Sequence, residues 1–156
     1  MDAMKDSEWL RRFIEENRVN ARLIKTGKVS TVSEAAREMK CRRDQIIKSV
    51  VLVTESGKGV VAVVDGVSKV NMEKVERIVG ERVKIAEKNE VEKLTGFQAG
   101  GVAPFGHECI VIIDSGVFMN SLVYGGGGDE NHLVEVSPDE IVRANSGRVL
   151  TGDVVL

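Results

Sequence analysis

Aromatic residues are scarce: one Trp, one Tyr and four Phe in 156 residues, so the core must be aliphatic. The two cysteines, Cys41 and Cys109, form no CxxC pair and no disulfide framework, and a reducing, cytoplasmic setting is the expectation. No apolar run approaches the roughly 18 residues that a membrane-spanning helix needs, and no membrane partner is expected. The opening stretch, MDAMKDSEWLRRFIEENR, is too charged for a signal peptide. Neither sign of charge dominates: 22 Lys and Arg stand against 24 Asp and Glu, a formal net charge of -2. That excludes a uniformly basic nucleic-acid coat, and DNA is not an expected partner.

What is present is a globular mixture, 42% hydrophobic and 29% charged, sized for one domain over residues 1–156. Charge is uneven along it. Residues 1–50 hold 12 Lys and Arg against 8 Asp and Glu, whereas residues 51–156 hold 10 against 16. The cations Arg37, Lys40, Arg42, Arg43 and Lys48 have two readings. One is a face that attracts phosphate; the other is a solvated helix end whose cations suit the helix dipole.

Periodicity and capping signals predict a first helix from Asp6 or Ser7 to about Arg18, with Trp9 and Phe13 on its apolar face. ARLIK reads as a short strand. Thr31-Val-Ser-Glu34 is a capping box that opens a short helix, SEAAREM. Gln45 to Thr54 is nearly all apolar, as in a strand buried on both faces. It turns at Glu55–Lys58 and returns as Gly59 to Val64. Asn71 caps a further helix with Met72, Val75 and Val79 facing inward. Arg82 to Ala86 is a strand and Lys88 to Leu94 a helix.

TGFQAGGVAPFGHE is too rich in Gly to be a regular element. Ile110 to Ile113 reads as a central strand, Phe118 to Tyr124 is expected to hold another short strand, and Gly125–Gly128 reads as a second flexible loop. Leu133 to Val136 reads as a last core strand, and Ser137-Pro-Asp-Glu140 as a helix start. The pattern predicts a mixed α/β (α+β) fold: a strongly curved, barrel-like mixed sheet flanked by short helices.

Lys48 is the one charge in QIIKSVVLV. A buried ammonium is costly unless paired. It is either a cation held at a pocket rim to meet an anionic or carbonyl oxygen, or a strand-end Lys that snorkels its head to water. The loop GGVAPFG offers accessible N–H groups stiffened by Pro104. Such groups can bind an oxyanion or cradle a phosphate, or the loop is a plain tight connection. Neither Gly-rich stretch matches G-x-x-x-x-G-K-[ST] or G-x-G-x-x-G, so nucleotide cofactors are not expected. His107-Glu-Cys109 has no common zinc-ligand spacing, and Cys41 and His132 are remote from it, so no metal is expected. G-x-S-x-G is absent. His132 beside the second Gly-rich stretch reads as an acid/base or substrate contact, or as a surface or structural His.

Three segments, STVSEAAREMKCRRDQIIKSVVLV, LTGFQAGGVAPFGH and YGGGGDENHLVEVSPDEI, together resemble the YbaK/ProX family of aminoacyl-tRNA deacylases. These are freestanding relatives of the prolyl-tRNA synthetase editing domain. The resemblance spans about residues 30–145. It implies that the family's Lys falls on Lys48 and its GxxxP motif on Gly100 and Pro104, with Gly101 following the first Gly. It further implies a trans-editing hydrolase that removes a wrong amino acid from tRNA, with Cys-tRNA(Pro) and Ala-tRNA(Pro) as leading substrates. The implied hydrolysis needs no cofactor and no metal: the substrate's 2′-hydroxyl and a water work with backbone groups. Lys48 would anchor the terminal phosphate or sugar, and the Gly100–Gly101 backbone would hold the ester and its oxyanion. Val102, Pro104 and His132 would contact substrate, and Arg42 and Arg43 the tRNA. An aminoacyl-tRNA synthetase is a further implied partner. The alternative is a non-catalytic module of the same fold that binds a tRNA end or a synthetase. Ala103 stands where many relatives carry Ser or Thr, and Leu133 lies near a position where some carry Asp, so the side-chain pocket stays open.

Overall fold

The computed structural model describes residues 4–156. Helix α1 (Ser7–Glu16) starts where the Asp6 carboxylate accepts the Trp9 N–H, and β1 (Ala21–Lys25) follows. In α2 (Val32–Met39) the Thr31 hydroxyl accepts the Glu34 N–H. Glu34 reaches back to the N–H of Ser30 rather than of Thr31, one residue further than the capping box predicts. A 3₁₀ turn (Arg43–Gln45) takes the first residue of the expected strand, and β2 runs Ile47–Thr54. Then come β3 (Gly59–Asp65), α3 (Met72–Val79), β4 (Val83–Ile85), α4 (Lys88–Thr95) and β5 (Ile110–Asp114).

The short strand expected within Phe118–Tyr124 lies at the end of that stretch. The Asp114 carboxylate accepts the Gly116 N–H and bends the chain into a 3₁₀ turn (Ser115–Met119), and β6 begins only at Val123 and ends at Gly126. The chain closes with β7 (His132–Val136), α5 (Pro138–Ala144) and β8 (Val149–Gly152). Strand β8 is unanticipated; half of it is exposed and its apolar signal is two residues long.

The fold is mixed α/β, as expected, but its strands form two sheets rather than one curved sheet. One has the order β1-β7-β6 and is antiparallel; the other has the order β4-β2-β3-β5-β8 and is mixed. A bridge between Ile46 and Tyr124 joins them at the start of β2. Side-chain alternation divides the core. Val61, Val63, Val111 and Ile113 pack toward the small sheet's Val123, Val134 and Val136. Val60, Ala62, Val64 and Ile112 pack on the other face with Val75 and Val154. Both faces of the large sheet are therefore covered, which is why β2, β3 and β5 read as nearly continuous apolar runs. Each valine so buried contributes roughly 1.5–3 kcal/mol relative to exposure.

The scarce aromatics are concentrated where α1 backs the Gly-rich loop. Trp9 stacks on Phe13, Phe97 meets Trp9 edge-on, and Phe13 stacks on Phe105. The Lys5 ammonium lies 4.4 Å from the Trp9 ring centre and donates to the carbonyls of Gly106 and Thr95.

Candidate functional site

The two Gly-rich stretches are packed backbone on backbone. The Gly128 N–H donates to the Gly101 carbonyl at 3.0 Å, and a Cβ on Gly101 would lie 2.6 Å from the Gly128 carbonyl oxygen. A Cβ on Gly126 would run into the Val102 carbonyl. Gly125–Gly128 is therefore no flexible loop: Gly125 and Gly126 belong to β6, and Gly127 and Gly128 are buried. Glycine is required here for close approach rather than for mobility.

From outside this pair, further groups hold the GGVAP segment. Asn145, fully buried after α5, donates to the Pro104 carbonyl at 3.0 Å. His107, 3% exposed, accepts the Cys109 N–H through Nδ1. Burial, reinforced by the nearby cations Lys5 and Arg148, lowers the His107 pKa to about 4. Burial likewise pushes the Cys109 thiol up to about 11, which keeps it protonated and inert at neutral pH. His107 and Cys109 are thus parts of the scaffold.

Beside the paired loops lies a cleft of about 230 Å³. Its walls include Lys48 and Ser49 of β2, Gly100 and Val102 of the loop, Gly125 and Gly126 of β6, and Ser30 and Thr31 at the start of α2. Apolar Val29, Val32, Ala35, Ile46, Ile47 and Leu133 complete it. Lys48 is half-buried, and among the described residues its ammonium has no hydrogen-bond or ion-pair partner. A broader concavity of about 690 Å³ between Glu55, Glu76 and Arg82 contains none of the expected residues.

Lys48, Gly100 and Val102 thus come together in one cleft. Gly101 does not line it, and its N–H is occupied by the Gln98 carbonyl at 2.9 Å. Its expected share in oxyanion binding is corrected accordingly: Gly101 holds the two loops together. The N–H groups of Gly100 and Val102 have no acceptor within the described chain. Pro104 is buried behind the cleft wall. His132 begins β7 but does not line the cleft; its Nδ1 lies 2.8 Å from Asp129 Oδ1. Arg42 and Arg43 are exposed on the turn before β2. Arg42 is shared between Asp44 and Asn120, whereas Arg43 makes no ion pair among the described residues.

Ser30, Thr31 and Ser49 are the polar lining residues that sequence reasoning did not single out. For two of them a signal exists: the capping box that fixes Thr31 also brings the α2 N-terminus, with its partial positive charge, to the cleft. Among the described residues no three His, Cys, Asp or Glu side chains cluster as metal ligands do. No helix among them is long and apolar enough to cross a membrane.

The family model for an aminoacyl-tRNA editing domain matches residues 26–144. The uncharacterized protein YwhH of Bacillus subtilis (strain 168) is 28% identical over 122 residues, covering 77% of this chain and 78% of that protein. A proline–tRNA ligase of Pseudothermotoga lettingae is 28% identical over 142 residues, covering 89% of this chain; the chain spans only 23% of the ligase. Among solved structures, the hypothetical protein APE2540 has a TM-score of 0.87 at 31% identity, covering 94% of this chain and 99% of that one. A crystal structure described as a candidate trans-editing enzyme for prolyl-tRNA synthetase has a TM-score of 0.88 at 27% identity, covering 96% of both chains.

Proposed function

Because the chain belongs to the aminoacyl-tRNA editing domain family, we propose that it is a trans-editing hydrolase that cleaves the ester between a wrong amino acid and the terminal adenosine of a tRNA. The observation that carries this reading is that the Lys48 ammonium shares one small cleft with Gly100 and Val102, and that neither it nor their N–H groups have a partner among the described residues. A cation facing backbone donors suits a substrate that is anionic at one end and develops an oxyanion at the other.

In this mechanism Lys48 holds the terminal phosphate or ribose. A water, assisted by the substrate's own 2′-hydroxyl, attacks the ester carbonyl carbon. The tetrahedral oxyanion is met by the Gly100 and Val102 N–H groups. The bond from carbon to the ribose 3′ oxygen then breaks, that oxygen takes up a proton, and the free amino acid leaves. An aminoacyl ester is already activated, so positioning supplies most of what the reaction needs. The cleft is small and its floor, with Ala35, Ile46 and Leu133, is apolar. It therefore suits a short side chain, and alanyl- or cysteinyl-tRNA(Pro) are the substrates proposed.

The test is deacylation of a panel of misacylated tRNAs by the purified protein. Hydrolysis of one small-side-chain ester well above the spontaneous rate supports the reading. Binding of tRNA, or of prolyl-tRNA synthetase, without hydrolysis of any member would replace it with the non-catalytic module.

A further inference from the structure

Three exposed apolar side chains fall within five positions: Phe118 at 37%, Met119 at 85% and Leu122 at 41% exposure. They lie on the 3₁₀ turn after β5 and on the link into β6. That segment is clasped to the basic stretch after α2. Asn120, itself buried, accepts from Arg42 Nη2 at 2.6 Å and donates to the Asp44 carbonyl at 3.1 Å. Gln45 Nε2 donates to the Leu122 carbonyl at 3.4 Å.

The surface so assembled has a definite charge. Arg37, Lys40, Arg42 and Arg43 are exposed along the stretch, and no carboxylate occurs from Ser115 to Tyr124. Asp44 is paired with Arg42, while Arg37, Lys40 and Arg43 form no ion pair among the described residues. Both strands of chain run from here directly into the cleft: Gln45 leads to Ile46, Ile47 and Lys48, and Leu122 leads through Val123 and Tyr124 to Gly125.

Exposed apolar groups beside a stretch whose four cations, Arg37, Lys40, Arg42 and Arg43, outnumber its two acids, Glu38 and Asp44, suit single-stranded RNA, whose bases stack while its phosphates meet the cations. We infer that Phe118, Met119 and Leu122, with Arg43, form the platform for the unpaired nucleotides that precede the terminal adenosine of the acceptor strand. This rests on the reading of the cleft as the aminoacyl-ester site. The surplus of positive charge and the continuity with that cleft favour RNA over a protein partner.

The experiment is fluorescence anisotropy with a labelled single-stranded RNA ending in CCA, at one fixed salt concentration. Wild type is compared with Met119→Ser, Phe118→Ser/Met119→Ser and Arg43→Glu, with circular dichroism as the folding control. Loss of base stacking is expected to weaken binding about five- to tenfold in the double variant. Met119→Ser alone, at the most exposed of the three side chains, keeps the test decisive if the double variant misfolds. In kinetics, the preference in kcat/KM for charged tRNA over aminoacyl-adenosine, which lacks those nucleotides, should shrink by a similar factor. No wild-type RNA binding, or equal affinity in folded variants, overturns the platform. So does unchanged RNA affinity in a variant that no longer binds purified prolyl-tRNA synthetase, which would assign the patch to a protein. Failure of the ester-site reading is separate: wild type would then hydrolyse neither ester, while the RNA-binding arm still decides the platform.

Discussion

Gly101 and Gly128 are held face to face, the Gly128 N–H on the Gly101 carbonyl at 3.0 Å, with no room for a side chain between them. A Cβ on Gly101 would meet the backbone of Gly128 and Asp129 within 3 Å, so a whole loop has to shift to admit it. Gly101→Ala is expected to destabilise the fold by about 1–3 kcal/mol, the range for overpacking, and to lower deacylation by displacing Gly100 and Val102. Gly27→Ala, where nothing lies within 4 Å, is the control and should be nearly neutral. Urea unfolding measures both; equal midpoints for the two variants would mean the loops separate freely.

The same pair marks where sequence reading stopped. The apolar runs of β2, β3 and β5 were legible because burial on both faces of a sheet leaves few polar positions, and the helix starts because Asp6, Thr31, Asn71 and Ser137 each cap one. Lys48 stood out as a charge inside such a run. Gly125–Gly128 misled, since a glycine needed for backbone contact and one needed for mobility look alike in a sequence. The donor assignment at Gly101 failed for a related reason: which N–H is free depends on a turn, Gln98 to Gly101, that no motif specifies. The polar lining from Ser30 and Thr31 depends on where α2 packs, which its cap alone does not fix.

Acid sensitivity should trace in part to His107. Its pKa falls from 6.5 in the unfolded chain to about 4 in the fold, chiefly through burial. The folded protein therefore binds fewer protons than the unfolded chain between those values. This contribution is complete above pH 6.5 and is lost as pH falls toward 4, up to about 3 kcal/mol in all. Carboxylates with lowered pKa values, such as Glu135 beside Arg22, act in the same direction but at lower pH. Unfolding free energies at pH 7 and pH 5 should therefore differ less in His107→Gln than in wild type. An unchanged difference would assign the acid sensitivity elsewhere.

Association with tRNA should be weak and steeply salt-dependent, because the chain is net negative and its surplus of positive charge is confined to residues 1–50, which include the exposed Arg37, Lys40 and Arg43. With about three phosphates engaged, the logarithm of the binding constant should fall with that of salt at a slope of about -2 to -3. Arg43→Glu should reduce that slope by about one contact's worth. Titrations at several salt concentrations give it directly, and a salt-independent affinity would point to base-specific contacts in place of phosphate contacts.

Lys48→Ala separates stability from activity. Lys48 sits on β2 opposite Val64 and is half-buried, and no carboxylate or carbonyl among the described residues holds its ammonium. Removing it leaves no orphaned partner behind and relieves part of a desolvation cost, so the strand should remain folded and the unfolding midpoint should hold or rise slightly. For deacylation the expectation is opposite. If the ammonium holds the phosphate or sugar of the tRNA end, its loss removes a charge-assisted contact, typically about 1.5–3 kcal/mol. It also lets the ester drift from the Gly100 and Val102 N–H groups. Turnover should drop at least tenfold, and more if positioning supplies most of the catalysis. Lys48→Arg should rescue poorly, because a planar guanidinium does not fit where a compact ammonium does in a cleft of about 230 Å³. Single-turnover deacylation of the best substrate, with circular dichroism alongside, decides the matter. A folded Lys48→Ala protein that turns over near the wild-type rate would remove Lys48 from the mechanism and leave the cleft to binding alone.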